Sequence, residues 1–463
     1  MGEAKLKGRD STQSETSIQT GARRIVQSCL GLKPSQQLVI FVDETTVEPG
    51  VAIAETAESL GVWQTVILVP TAIQRRIPGG GDLSFAAQRA AREARAILTC
   101  VNALPECLPF RERILETHWT AHTKIGHMPG ASLQVLKLAD VDLEQLAADC
   151  QCVEAAMARG KRLELISYAA NGTPHHLTAD IGGWERLPVA SDGIISDGAW
   201  GNVPSGETYI APMEGTGEGS IVINGSIPGL VIELNQEMVL RFEWGRLTRI
   251  EPADGLAARW LHETQISKAQ ATGDLQWSSL AEIGVGINPA VESLTGNMLF
   301  DEKAAGTAHI ALGSNTFMGG MIDASIHCDM VTREPTIRID DKLVLERGRL
   351  AYVESEWHEH YSRISLQESP LREAIRVARS GVQANRAADG RLQRVLRPEP
   401  GRLSACFVGG PETARMAQTL YAMLPDEGGG VSLDELARRA HMDAQVARRV
   451  LHVLWQYDLV KAW

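Results

Sequence analysis

The sequence predicts an α/β protein. It has an N-terminal α/β domain with a parallel sheet, a central α+β metal-binding domain, and a small C-terminal winged-helix-like domain. Three observations carry this. Strand and helix patterns alternate over residues 18–165, as in a parallel sheet covered on both faces. Over 166–355 the chain turns to short β runs set among Gly, Asn, Thr and Ser. Residues 411–463 read as a helix, a short helix, a longer helix and a terminal strand.

In order, residues 1–17 are polar, Ser/Thr-rich and aperiodic, so a disordered N-terminus is expected. Thr20 to Leu30 reads as a helix ending near Gly31. Gln37 to Val42 is a short apolar run between turn residues, hence a buried strand. Val51 to Leu60 and Phe85 to Ala94 are the next helices, and Val66 to Val69 and Ala96 to Val101 the next strands. Gly79-Gly80-Gly81 lacks the G-x-G-x-x-G spacing of a dinucleotide turn and reads as a loop. In the central domain Gly219–Asn224, Leu230–Glu233, Met238–Phe242, Ala308–Leu312, Thr336–Ile339 and Leu343–Leu345 read as strands. One helix, Asp254 to Thr272, interrupts them. Residues 356–410 form a charged helical linker in which His358 and His360 look exposed.

Composition narrows the function. The 463 residues carry 45 basic and 57 acidic side chains, a net charge of −12, so nucleic acid is not an expected partner. There is no apolar run long enough for a membrane span and no apolar segment near the N-terminus for secretion. Leu6 stands where myristoylation needs Ser or Thr. Seven cysteines, an odd number, point to reduced thiols in a cytoplasm. Cys150-Gln-Cys152 is too tight for zinc-finger spacing. In the tail, Arg448 and Arg449 lie on the longer helix, but acidic and basic groups nearly balance. That favours a peptide or carrier partner there over phosphate.

Four stretches carry candidate metal chemistry. Glu207 follows a Pro-Ser-Gly turn into an apolar strand, and Glu282 opens the glycine-rich run to Asn288-Pro289. His309 lies inside a short β run, and His327 and Asp329 alternate along another. A half-buried carboxylate is costly unless paired or metal-bound, and i, i+2 residues on a strand share a face. Two imidazoles and three carboxylates suit zinc, cobalt, manganese or iron, and suffice for two ions. Spacing alone leaves a second reading open, in which these are satisfied core groups.

The motifs PSGE-x-x-x-AP, E-x-G-x-G-x-NP, DEK-x-x-GT-x-HIALG and H-x-D resemble the aminopeptidase T / aminopeptidase S / PepS family of metalloaminopeptidases, in the same order over residues 20–350. The segments Gly21–Pro34 and Thr117–Gly130 are similar to that family's N-terminal domain. The resemblance implies a two-metal exopeptidase, usually dimeric, with ligands Glu207, Glu282, His309, His327 and Asp329. Two features depart from it. The family's tyrosine falls on Thr316, and the loop from His309 to His327 is shorter. The same superfamily includes 2,5-dihydroxypyridine dioxygenase, a mononuclear non-haem iron enzyme whose pattern places a histidine where this chain has Glu282.

The expectation is therefore a metal-dependent aminopeptidase-like hydrolase. Two ions (zinc, cobalt or manganese) would share a hydroxide, and Glu282 or Glu207 would carry the proton to the leaving amine of a peptide or amide substrate. His118 and His122 are candidates for the pocket wall. The alternatives are the mononuclear iron dioxygenase and a non-catalytic peptide-binding protein. One iron with O₂ consumption, against two ions without it, separates the first two.

Overall fold

The protein is described by a computed structural model. It covers residues 17–75, 83–103, 107, 110–111, 114, 122–182, 186, 188–351, 391–394, 431–432, 438–439 and 460–462. The chain is a mixed α/β protein, as the alternation predicts. Helix 17–24 runs into a π turn, Ile25–Cys29. Strands β1 (Gln37–Val42), β2 (Trp63–Leu68), β3 (Ala96–Thr99) and β4 (Lys124–His127) then form a parallel sheet. β1 spans the residues its apolar run predicts, and all but its first residue are buried. The helix after it starts at Val47, four residues before the expected Val51. Pro49 looks like a breaker but sits in the first turn, where its missing N–H costs no helical hydrogen bond.

A long helix, Leu143–Arg159, capped by Asp142, leads to β5 (Arg162–Tyr168), β6 (Pro174–Asp180), β7 (Val189–Ser191) and β8 (Trp200–Asn202). β8 returns to pair parallel with β4, giving the order β2-β1-β3-β4-β8. The chain continues through β9 (Glu207–Ile210), β10 (Glu218–Ile223), β11 (Ser226–Ile227), β12 (Leu230–Val231), β13 (Met238–Glu243) and β14 (Arg246–Glu251). The expected Asp254–Thr272 helix is present as Leu256–Leu261 and Ser267–Ala271, joined by a π turn. Last come β15 (Leu280–Gly286), β16 (Thr307–Gly313), β17 (His327–Arg333), β18 (Thr336–Ile339), β19 (Lys342–Glu346) and β20 (Arg349–Leu350).

These strands make two further sheets, ordered β14-β13-β10-β6-β5-β18-β19-β20 and β12-β11-β17-β16-β15-β9-β7. β15 and β16 are buried along their whole length, yet their sequences alternate. Ile283, Val285, Ala308, Ile310 and Leu312 join Cys328 and Met330 in the main core. The opposite face of the same strands carries the polar residues. Among the described residues no helix is long and apolar enough to cross a membrane. Gly79–Gly81, His118, His358, His360, Arg448 and Arg449, with nearly all of 411–463, lie outside the described residues.

Candidate metal centre

All five candidate residues stand on one face of adjacent antiparallel strands. Glu282 pairs with Ala311, which pairs with Asp329. Gly284 lies between Tyr209 and His309, Gly286 opposite Glu207, and Gly313 opposite His327. Small residues therefore alternate with long polar ones on this face. A Cβ on Gly284 would fall 2.1 Å from His309 Nε2. Only glycine lets that imidazole lean across β15 toward the carboxylates.

The turns fix the rest. Gly206, at φ +133, adopts a conformation open to glycine, and its carbonyl accepts from the amides of Ile287 and Asn288. The Asn288 side-chain amide donates to Ser205 O at 2.7 Å. The PSGE and NP motifs thus lock together, and they aim Glu207 inward.

Nε2 of His309 is 3.1 Å from Glu282 Oε1 and 3.9 Å from Glu207 Oε2. Nε2 of His327 is 3.2 Å from Glu282 Oε2 and 3.3 Å from Asp329 Oδ1. On the other side of the His327 ring, Nδ1–H donates to the Ser314 carbonyl at 2.7 Å, which turns Nε2 to the carboxylates. Glu282, His327 and Asp329 each offer a ligand atom, and these atoms lie within 4.8 Å of one another.

Two residues of the DEK run, not singled out as candidates, complete the cluster. Lys303 is 0 % exposed, and its Nζ lies 3.0 Å from Glu207 Oε1 and pairs with Glu302. A lysine in a polar run reads as surface, so its burial was not visible in sequence. The one available signal was its place just ahead of the buried β16. Thr316 lies on the turn after β16, its hydroxyl 3.4 Å from that of Ser314. His122 does not join the cluster. It precedes β4 and lines a cavity of about 440 Å³ with Trp63, Arg92 and Arg95.

Burial should push the carboxyls of Glu282 and Asp329 up, yet both are held below their usual range. Hydrogen bonds from His309 and His327 outweigh burial at Glu282, and the His327 charge does so at Asp329. Conversely, burial should lower the imidazoles, but Glu282 lifts His309 to about 9 and Asp329 lifts His327 well above the ordinary value. Burial raises Glu302 to about 8. Among the described residues, four carboxyls therefore face one permanent cation, Lys303, with two imidazoles between them. The buried His309 Nδ1 has no hydrogen-bond partner among the described residues. Negative charge of this kind is stabilised by protons on the imidazoles or by a divalent cation. The mixed N/O donor set of Glu282, His327 and Asp329 fits such an ion.

Comparisons with known proteins give the family and the fold. The family model for NicX, 2,5-dihydroxypyridine 5,6-dioxygenase, matches residues 22–352. The curated 2,5-dihydroxypyridine 5,6-dioxygenase of Pseudomonas putida KT2440 is 25% identical over 279 residues, 57% of this chain and 73% of that one. The solved 2,5-dihydroxypyridine dioxygenase of the same organism superposes with a TM-score of 0.54 at 21% identity, covering 74% of this chain and 98% of that one. Wild-type AmpT from Thermus thermophilus gives a TM-score of 0.49 at 17% identity, covering 73% and 99%.

The family match and the curated relative overturn the expected hydrolase, and with it the aminopeptidase and protease assignment. The physical reason lies in what the motifs encode. PSGE, the NP turn and H-x-D build a sheet face that gathers carboxylates and imidazoles, and such a face does not specify the reaction. Glu282 in place of histidine does not by itself mark hydrolysis, because its carboxylate lies with His327 and Asp329 in a group that could hold a single ion.

Proposed function

Because the chain belongs to the NicX, 2,5-dihydroxypyridine 5,6-dioxygenase, family, we propose that it is a mononuclear iron dioxygenase that opens the ring of a hydroxylated N-heteroaromatic substrate. The observation that carries this is the convergence of Glu282, His327 and Asp329 within that family's matched span. These three residues would hold the ion. Bound iron supplies the binding of O₂ and the electron transfer that a closed-shell ring cannot make to O₂ directly.

The remaining side chains have separate tasks. Lys303 neutralises Glu207 at 3.0 Å, so Glu207 is already committed to a cation. This favours one ion over two. His309 Nε2, between Glu282 and Glu207, holds a proton in a dry setting and provides an acid–base group for a substrate hydroxyl. Burial on the core side keeps bulk water from the carboxylates, which strengthens each of these interactions.

The test is anaerobic loading with Fe(II), followed by O₂ uptake with 2,5-dihydroxypyridine and its ring-hydroxylated analogues. Uptake of one O₂ per ring consumed, with one iron per chain, supports the proposal. Retained iron with no uptake on any of these rings counts against it. Two tightly held ions per chain would refute the single-ion part.

A further inference from the structure

We infer that Arg186 and Glu214 form a positioning pair that holds the 314–322 loop, and through it the His327 imidazole, in the orientation an ion requires. The inference rests on the metal centre proposed above, and it concerns residues outside that centre.

The starting point is His327 Nδ1, whose partner is a backbone carbonyl, Ser314 O. No substitution at Ser314 removes that carbonyl, so its placement depends on what holds the loop. The loop is folded on Asn315, which is fully buried. Its backbone amide donates to Ile322 O at 3.0 Å, and its side-chain oxygen accepts from Ile322 N at 2.8 Å. Glu214, just after β9, reaches it from outside. Its Oε1 accepts from Met321 N at 2.8 Å and from Asn315 Nδ2 at 3.3 Å. Its Oε2 pairs with Arg186 Nη2. Arg186 in turn donates from Nη1 to Gly319 O at 3.1 Å and from Nε to Pro212 O at 3.5 Å. The guanidinium and the carboxylate therefore grip each other and the loop at once.

A pair with a buried guanidinium and a half-buried carboxylate is a poor source of net stability, because desolvation offsets much of the attraction. What it supplies is fixed geometry: the planar guanidinium fork directs its donors rigidly. The geometry it fixes ends on the ring nitrogen opposite the ion-binding one. Partners at that position set tautomer and ring orientation, and their loss typically costs about 10–100-fold in metal affinity.

The full-length chain is titrated with Co(II) alone, whose visible absorption reports coordination geometry, and thermal unfolding is recorded alongside. Glu214→Ala is expected to weaken Co(II) binding by about 10–100-fold and to shift the absorption bands. Glu214→Gln, which keeps an acceptor for Met321 N, recovers most of the affinity. If Glu214→Ala does not fold, Arg186→Lys, which loses the fork to Gly319, should show the same fall. Lower thermal stability with unchanged Co(II) affinity and spectrum would overturn the positioning role. Unaltered protein that binds no Co(II) overturns the centre and the pair together. A Co(II) response to Glu214→Ala in a chain that never consumes O₂ upholds the pair and rejects only the dioxygenase.

Discussion

Among the described residues, the buried carboxylates at Asp43 and at Glu282 are satisfied in opposite ways. Asp43, at the end of β1, is wrapped by neutral donors. Oδ1 accepts from Thr45 N at 2.9 Å and Thr45 Oγ1 at 2.7 Å, and Oδ2 from Asn102 N at 2.6 Å and Gln74 Nε2 at 3.1 Å. It ties together the chain ends that follow β1, β2 and β3. Glu282 and Asp329, on the seven-stranded sheet that holds β15 and β17, face imidazoles and other carboxylates. A carboxylate enclosed by fixed neutral dipoles is complete as it stands. One enclosed by titratable groups needs protons or a cation, and that marks it as a site rather than a brace.

The largest effects should separate the two regions. His327→Ala is expected to abolish iron binding and O₂ uptake while the chain still folds; elemental analysis and circular dichroism check both. Asp43→Ala should do the reverse. It removes the shared acceptor of Thr45, Gln74 and Asn102 and costs about 3 kcal/mol of stability by denaturant titration, with iron content unchanged. Iron loss in the Asp43 variant would erase the distinction.

Next in size, Lys303→Met leaves Glu207 and Glu302 without their cation. A loss of about 3 kcal/mol is expected in the iron-free protein. Gly284→Ala should be milder for folding and specific for the ion. Its new methyl meets the His309 ring at 2.1 Å, so iron affinity should fall by about 10-fold or more at nearly constant unfolding temperature. An affinity unchanged in this variant would show that His309 needs no clearance.

The smallest effect is on pH, and it has opposite signs at Asp43 and at His309. Burial pushes the Asp43 carboxyl up, but hydrogen bonds from Thr45 and Gln74 win and hold it below its usual range. Its contribution is full above the unfolded pKa of about 3.9 and is lost as pH falls through the lower folded value. His309 is lifted to about 9. In iron-free protein its contribution is full below the unfolded pKa of about 6.5 and is lost as pH rises through about 9. Unfolding temperature against pH should therefore show an acid limb reduced by Asp43→Asn, with Glu282 and Asp329 supplying the remainder, and an alkaline limb removed by iron. An alkaline limb that persists in the iron-loaded protein would contradict this.

The same contrast explains what the sequence made legible. Gln37–Val42 is visible as an apolar run because both of its faces are buried. Glu282, His309, His327 and Asp329 are visible because polar groups break an apolar strand pattern at every second residue. Lys303 is invisible, because only the tertiary fold buries it. Arg186 and Glu214 are equally silent, since their role depends on a loop more than 90 residues further along. The reaction itself was misread. The motifs specify how a sheet gathers carboxylates and imidazoles, and that gathering alone does not name the reaction.

The most direct measurement is iron K-edge X-ray absorption on the anaerobically loaded, full-length chain. One iron per chain is predicted, with a single imidazole, carboxylate oxygens and no metal–metal scattering. A second metal at roughly 3.5–4 Å, or two imidazoles on the iron, would contradict the centre built from Glu282, His327 and Asp329.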